Sequence, residues 1–117
     1  MDIEVWKFGG ASLADGKAIL RAAAQIGAHR GPLVVVASAL AGVTDLLLQG
    51  ASDAAAARAA EASRAAAAFR QMHDRAARAL LAQGRGRRAV LAVVDGIARE
   101  YEHLCTGVAV LGHLDPR

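Results

Sequence analysis

Near the N-terminus a lysine, two adjacent glycines and a serine are spaced so that they could bind a phosphate group. Lys7 ends an apolar segment, Gly9 and Gly10 follow it, and Ser12 precedes a helical pattern. Adjacent glycines let backbone N–H groups approach a ligand closely, because no Cβ atom stands in the way. The N-terminus of the following helix favours an anion at the same place, and the lysine adds a positive charge. The stretch therefore indicates an anion site, most naturally one for phosphate.

The order of these residues differs from the well-known phosphate-binding glycine motifs. A P-loop places its lysine after the glycines, and the dinucleotide fingerprint has three spaced glycines, whereas here Lys7 precedes Gly9 and Gly10. From the residues alone, two interpretations stay open. One is a phosphate site, and the other is a tight strand–helix turn beside a solvated lysine.

The elements that would position this stretch form a strand–helix–strand unit over residues 1–40. Alternating apolar residues predict a strand that ends at Phe8, and Asp15 can cap a helix that runs to about His29. Leu33–Ala37 is an unbroken apolar run, which is typical of a parallel strand buried on both faces. A right-handed crossover would place the ends of both strands at the same sheet edge.

A second loop of small and hydroxyl residues follows that strand. It contains Ser38 and Thr44 and leads into a short predicted helix from Asp45 to about Gln49. Because this loop should neighbour the first one, both hydroxyls could bind a shared anionic ligand. The alternative is that Ser38 or Thr44 merely caps the helix.

The remainder, within residues 43–112, is predicted to be helical. An alanine-rich helix should span residues 52–83, and residues 84–88 form an arginine-rich turn whose side chains are more often solvated than bound to phosphate. The last helix should pack against the preceding one as an antiparallel hairpin, or against a partner subunit. Its apolar positions have 4-3 spacing: Val90, Val94, Ile97, Tyr101, Leu104, Val108 and Leu111.

Composition excludes several classes of protein. A chain of 117 residues suits one small domain, and a net charge of +3 is too mild for a nucleic-acid binder. The single cysteine, Cys105, permits no disulfide framework and fits a cytoplasmic location. The four histidines share no metal-ligand spacing, and no apolar run is long enough to span a membrane. We therefore expect no protein metal site, no nucleic-acid partner and no membrane partner.

Two blocks of the sequence resemble the signatures of aspartate kinases. Residues 7–13, Lys-Phe-Gly-Gly-Ala-Ser-Leu, are similar to the family's Lys-Phe-Gly-Gly-Thr-Ser-Val. Residues 34–45 resemble its second block, a valine-rich strand followed by Ser-Ala-x-x-Gly-Val-Thr-Asp/Asn. The stretch from Gly107 to Arg117 is more loosely similar to the family. The resemblance implies an α/β fold, namely part of a three-layer αβα amino-acid-kinase domain with parallel N-terminal strands and a helical C-terminal half.

The resemblance also implies a reaction, the ATP-dependent phosphorylation of L-aspartate to 4-phospho-L-aspartate. This is the first step of lysine, threonine and methionine biosynthesis. In the family the lysine that matches Lys7 contacts the ATP phosphates and stabilises the transferred group, so Lys7 is the implied catalytic residue. Residues matching Gly9, Gly10 and Ser12 lie at those phosphates. Those matching Ser38 and Thr44 lie near L-aspartate. The implied cofactors are ATP and Mg²⁺, and the full-length enzyme is expected to be a homo-oligomer.

Two departures from the family pattern qualify what the resemblance implies. Ala11 replaces the usual threonine, which removes one hydroxyl near the site, and the chain is less than half the length of an aspartate kinase domain. We therefore expect the N-terminal part of a kinase domain that is inactive alone. The alternatives are a stand-alone phosphate- or nucleotide-binding module, a subunit of a split kinase, or another enzyme of the same fold acting on glutamate, carbamate or a nucleotide.

Overall fold

A computed structural model of the chain describes residues 2–114 and shows an α/β architecture with two N-terminal strands and a helical remainder. This confirms the fold class predicted from the sequence. The described chain divides into two compact units, with the boundary between Thr44 and Asp45. In chain order the elements are β1 (Glu4–Phe8), a 3₁₀ turn (Gly10–Leu13), α1 (Gly16–Ala28), β2 (Leu33–Ala37), α2 (Val43–Ala55), α3 (Ala59–Leu80) and α4 (Arg85–Leu114).

In the first unit β1 and β2 pair in parallel, as the strand–helix–strand pattern predicted. The register places Phe8 opposite Ala37. Phe8, Leu13 and Ala22 form the buried cluster between β1, the 3₁₀ turn and α1. Asp15 caps α1 as expected, because its carboxylate accepts a hydrogen bond from the N–H of Ala18 at 2.9 Å.

The predicted burial of β2 on both faces is wrong in this structure. The side chains of Val34, Val35 and Val36 are 47%, 40% and 46% exposed. Within the described residues the sheet has two strands, and α1 is the one helix of more than a single turn that lies wholly in this unit. One helix packed largely on the aromatic residues of β1 cannot cover both faces of β2. An unbroken apolar run therefore shows that a strand could be buried on both faces, but it does not show that other elements cover those faces.

In the second unit the predicted helix boundaries need correction. The short helix from Asp45 to Gln49 is longer, because α2 continues through Gly50 to Ala55. The break instead occurs at residues 56–58, where Ala57 takes a left-handed conformation with φ of 62°. A single alanine in that region costs about 1–2 kcal/mol, so other contacts must maintain the break.

Hydrogen bonds between Asp53 and Arg58 hold the break between α2 and α3. The Asp53 carboxylate accepts from Nε and Nη2 of Arg58 at 3.1 and 2.8 Å, and from Gln49 Nε2 at 3.2 Å. The backbone N–H of Arg58 donates to the carbonyl of Asp53 at 2.8 Å. The Arg58 guanidinium lowers the pKa of Asp53 below its usual range, although partial burial of the carboxyl opposes this shift.

Gly50 lies within α2, where Tyr101 and Ala65 pack closely against it. A Cβ atom at this position would collide with the hydroxyl of Tyr101 and the methyl of Ala65. That hydroxyl donates to the carbonyl of Leu47 at 2.7 Å, and its burial, followed by its hydrogen bond with Cys105, raises the pKa of Tyr101 to about 12. The glycine therefore allows α2 and α4 to approach closely around a tyrosine that stays protonated.

The predicted antiparallel hairpin of the last two helices is present. Arg70 on α3 pairs with Asp95 on α4 at 3.0 Å, while the earlier Ala62 shares a buried cluster with the later Cys105. The turn lies earlier than the predicted residues 84–88, because α3 ends at Leu80 and α4 already begins at Arg85. Arg87 donates to the carbonyls at the end of α3, so its guanidinium satisfies a helix terminus.

The side of α4 that faces α3 differs from the predicted apolar pattern. Of the seven predicted positions, only Val94 is fully buried and Tyr101 is half-buried; the other five are exposed. The α3 side of the interface is built largely from alanines, so close approach selects small residues of α4. The buried positions of α4 are Val94, Ala98, Cys105 and Ala109. Among residues 2–114, no helix is both long and apolar enough to cross a membrane.

Candidate phosphate-binding site

Lys7 occupies the penultimate position of β1, opposite Val36 of β2. Successive side chains of a strand point to opposite faces, and Trp6 and Phe8 belong to the core against α1. Lys7 lies between these two residues in the strand and is exposed. An exposed ammonium at a strand end is free to meet an anionic ligand.

Gly9 and the 3₁₀ turn supply backbone donors immediately after the lysine. Gly9 is extended, with φ of −81° and ψ of −178°, and its carbonyl accepts from the N–H of Ser12 at 3.0 Å. Within the described residues, the N–H groups of Gly10 and Ala11 donate to no backbone carbonyl. These two donors are the kind of group that binds phosphate oxygens.

The helix that follows the glycines is not arranged as predicted. The sequence suggested that the N-terminus of the first long helix faces the glycines, but a 3₁₀ turn that begins at Gly10 comes between Gly9 and α1. The first turn of α1 is already capped by Asp15. The donors nearest the glycines are therefore those of the short turn, and Asp15 has taken one donor of α1.

The second loop lies beside the first, as the parallel strands led us to expect. The N–H of Ser38 donates to the carbonyl of Phe8 at 2.9 Å, which extends the pairing one residue past β2. A Cβ atom on Gly10 would lie 3.9 Å from both Ser38 Oγ and Ala41 Cα, so the two loops are in van der Waals range. Ser38 Oγ donates to the carbonyl of Ala39 at 2.9 Å. The structure thus brings Gly10 and Ser38 together.

Thr44 lies in the first turn of α2 and is exposed. Gly42 adopts φ of 84°, a conformation that favours glycine, and Val43 N–H then donates to the carbonyl of Leu40 at 3.0 Å. Leu40 packs against the buried cluster of the first unit, which anchors the loop. No hydrogen bond in the described part of the chain joins Thr44 to the first loop.

Arg21 is a candidate site residue that the sequence analysis did not single out. A cavity of about 260 Å³ lies between the 3₁₀ turn and α1, and Ser12, Arg21 and Gln25 provide its polar lining. The available signal was the i, i+4 spacing of Arg21 and Gln25, which places both on one face of α1. A larger groove of about 770 Å³ runs along β1 and α1, but of the six predicted site residues only Lys7 lines it.

The described residues also show whether side chains cluster in a way that could bind a metal ion. Residues 2–114 contain no group of three His, Cys, Asp or Glu side chains that could hold a metal ion. Mg²⁺ is usually bound by one or two carboxylates together with substrate phosphates.

Comparison with known proteins identifies the family of the chain. The model of the amino acid kinase family matches residues 2–106, which include both loops and most of the helical part. None of the curated proteins compared with the chain matches it. A match over most of the chain shows that it belongs to the amino acid kinase family, whose members are phosphotransferases.

Proposed function

We propose that this chain forms the ATP-phosphate side of an aspartate kinase, which phosphorylates L-aspartate to 4-phospho-L-aspartate. The resemblance of residues 7–13 and 34–45 to the aspartate kinase signatures supports this assignment within the family. The structural observation that supports it best is the contact between the two loops, at Gly10 and Ser38. Donor and acceptor in phosphoryl transfer must lie side by side, and these loops do.

Each site residue has a role that its chemistry supports. Lys7 neutralises charge on the phosphate oxygens, and the unbonded N–H groups of Gly10 and Ala11 donate to them. Ser12 adds a hydroxyl, while Ser38 and Thr44 orient the acceptor carboxylate. Phosphoryl transfer depends mainly on positioning and charge stabilisation, which these groups supply. ATP supplies the phosphoryl group.

Phosphoryl transfer from ATP also involves Mg²⁺. Mg²⁺ would be bound together with the nucleotide phosphates, because proteins usually hold this ion with one or two carboxylates and the substrate phosphates. Because it would form only the ATP-phosphate side of the enzyme, the chain by itself is expected to leave aspartate unphosphorylated.

Nuclear magnetic resonance titration of the ¹⁵N-labelled chain tests the proposal. Adding Mg-ATP should shift the amide signals of Gly9, Gly10 and Ser12, and subsequent L-aspartate should shift Ser38 and Thr44. The variant Lys7→Met should raise the dissociation constant for ATP at least about tenfold, because one favourable charge contact is lost.

A matched control variant makes the same lysine-to-methionine change at a position outside the two loops. Lys17→Met removes a lysine from the exposed surface of α1 and should change the dissociation constant for ATP by less than about twofold. Glycine-loop signals that stay unchanged at millimolar Mg-ATP would overturn the proposal. Shifts of Ser38 and Thr44 by L-glutamate instead of L-aspartate would retain the kinase site but reassign its substrate.

A further inference from the structure

The face of α4 next to its buried side presents a second apolar surface to solvent. Its residues are between 41% and 65% exposed, although all are large aliphatic side chains. Leu104 is 62% exposed and Leu111 is 65% exposed, values more typical of polar positions. We call this surface the α4 stripe, and its members are Val90, Val93, Ile97, Leu104, Val108 and Leu111.

The stripe is contiguous on the helix surface. With 100° of rotation per residue, its six positions fall within an arc of about 60° beside the face that packs on α3. Val110, which is 53% exposed, lies on the far side of α4 and outside the arc. The stripe is therefore one patch and not a scatter of single exposed residues.

The spacing of the stripe is palindromic. Successive members are 3, 4, 7, 4 and 3 residues apart, so the pattern reads the same from either end of α4. When two α4 helices run antiparallel about a two-fold axis between residues 100 and 101, every member meets an apolar partner. The facing pairs are Val90 with Leu111, Val93 with Val108, and Ile97 with Leu104. Self-complementarity of this kind is what a two-fold interface requires.

The available area sets the strength of such a contact. The stripe extends over 21 residues, or about 32 Å of helix. Six half-exposed aliphatic side chains offer roughly 400–600 Å² of apolar surface on each copy. A standard interface buries about 800 Å² on each partner, so the stripe and its polar flanks suffice for a small, reversible dimer.

We propose that two copies of this chain associate through antiparallel α4 stripes. The occupant of the stripe is then a second stripe, matched residue for residue, and the contact needs no group from the phosphate site. The inference is independent of the proposed function, because no residue of the glycine loop takes part.

Sedimentation equilibrium of the full 117-residue chain tests the association. We expect a monomer–dimer equilibrium with a dissociation constant on the order of micromolar to tens of micromolar. Leu104→Glu should raise the dissociation constant at least about tenfold, because it places a charge at the centre of the stripe in both copies. Val110→Glu adds the same charge at a similarly exposed position of α4 and should change the constant by less than about twofold. Circular dichroism verifies that both variants keep their helices.

Disulfide cross-linking tests the register without relying on a destabilised variant. In a Cys105→Ala background, the double variant Ile97→Cys/Leu104→Cys should form covalent dimers on mild oxidation. Each single variant should not, because identical positions lie about 10 Å apart along an antiparallel pair, beyond disulfide reach.

Two results would overturn the proposal. One is a chain that remains monomeric at several hundred micromolar, or in which Val110→Glu dissociates the dimer as strongly as Leu104→Glu. The other is cross-linking of the single variants at the same rate as the double variant, which would indicate parallel or non-specific contact.

Discussion

The two-stranded sheet of the first unit buries less of its apolar surface than the α3–α4 interface of the second unit. In the first unit three consecutive valines of β2 remain at least 40% exposed, whereas in the second unit Ala66 and Ala98 are completely buried. The larger side chains are thus the less buried ones. Side-chain size alone does not decide burial; the geometry of the neighbouring element does.

The contrast has a simple physical origin. Two long helices with alanine faces approach closely and bury one another over many turns, as α3 and α4 do. A two-stranded sheet with one long packed helix leaves an open face and two strand edges. The predicted site residues are all in the first unit, so the proposed chemistry belongs to the less completely packed part of the chain.

Two phenylalanines with equal burial offer the strongest test of this contrast. Phe8 in the first unit and Phe69 in the second are each 8% exposed. Phe69→Ala should reduce the free energy of unfolding by about 3–5 kcal/mol, because a cavity in a tight helical interface cannot collapse. Phe8→Ala should cost less, below about 3 kcal/mol, since the thinner core can relax around the gap.

Urea unfolding monitored by two probes measures both effects. Fluorescence of Trp6, the single tryptophan, reports on the first unit, and far-ultraviolet circular dichroism reports mainly on the helices. Equal losses for both variants, with coincident transitions by the two probes, would show that the units do not differ in packing.

Two glycines sharpen the comparison with a smaller change. Gly50→Ala places a methyl group against Tyr101 and Ala65 and should destabilise the chain by about 1–3 kcal/mol. At Gly9→Ala the new methyl meets no atom within 4 Å, and the φ of −81° suits any residue, so stability should change by less than about 0.5 kcal/mol. Thermal unfolding of the two variants decides this. A stability loss at Gly9→Ala as large as at Gly50→Ala would contradict the assignment of open space to the glycine loop.

The Asp53–Arg58 pair should produce the smallest effect, visible as a dependence on pH. Because Arg58 lowers the pKa of Asp53 in the folded chain, the ionised carboxylate stabilises the fold above its unfolded pKa, near 3.8. This contribution is lost as pH falls through the lower, folded pKa. Arg58 is half exposed, so solvent screening keeps the effect modest.

Stability measured against pH, with Asp53→Asn as the reference, checks this sign. The difference in stability between the parent chain and the variant should be constant above about pH 5 and should shrink below about pH 4. A difference that grows on acidification would show that burial, rather than the guanidinium, dominates the pKa of Asp53.

Local patterns predicted much of the first unit. The alternation around Trp6 and Phe8, the cap at Asp15 and the order of strands and helix each depend on a few neighbouring residues, and all appear in the structure. The adjacency of the two loops follows from parallel pairing, and the contact of Gly10 with Ser38 agrees with it. Arg21 was missed because a cavity exists only once α1 is packed on the 3₁₀ turn.

In the second unit, local sequence patterns predicted the helices but not where the first of them ends. Its sequence predicted helices, an antiparallel hairpin and an apolar face on the last helix, but it placed the first break near Gly50. Glycine is a weak helix former, yet close packing by Tyr101 and Ala65 favours it there, while Asp53 and Arg58 maintain the break further along. Contacts between residues that are distant in sequence decided both features.

By itself, the sequence determined the class of fold and the order of its elements, and it predicted which residues could bind phosphate. These depend on periodicity, caps and glycine positions, which act over a few residues. Only the tertiary structure decided which apolar side of α4 is buried, because an alanine face on α3 admits the small residues and leaves Ile97 and Leu104 in solvent. Burial is a property of two complementary surfaces, and a single stretch of sequence describes only one of them.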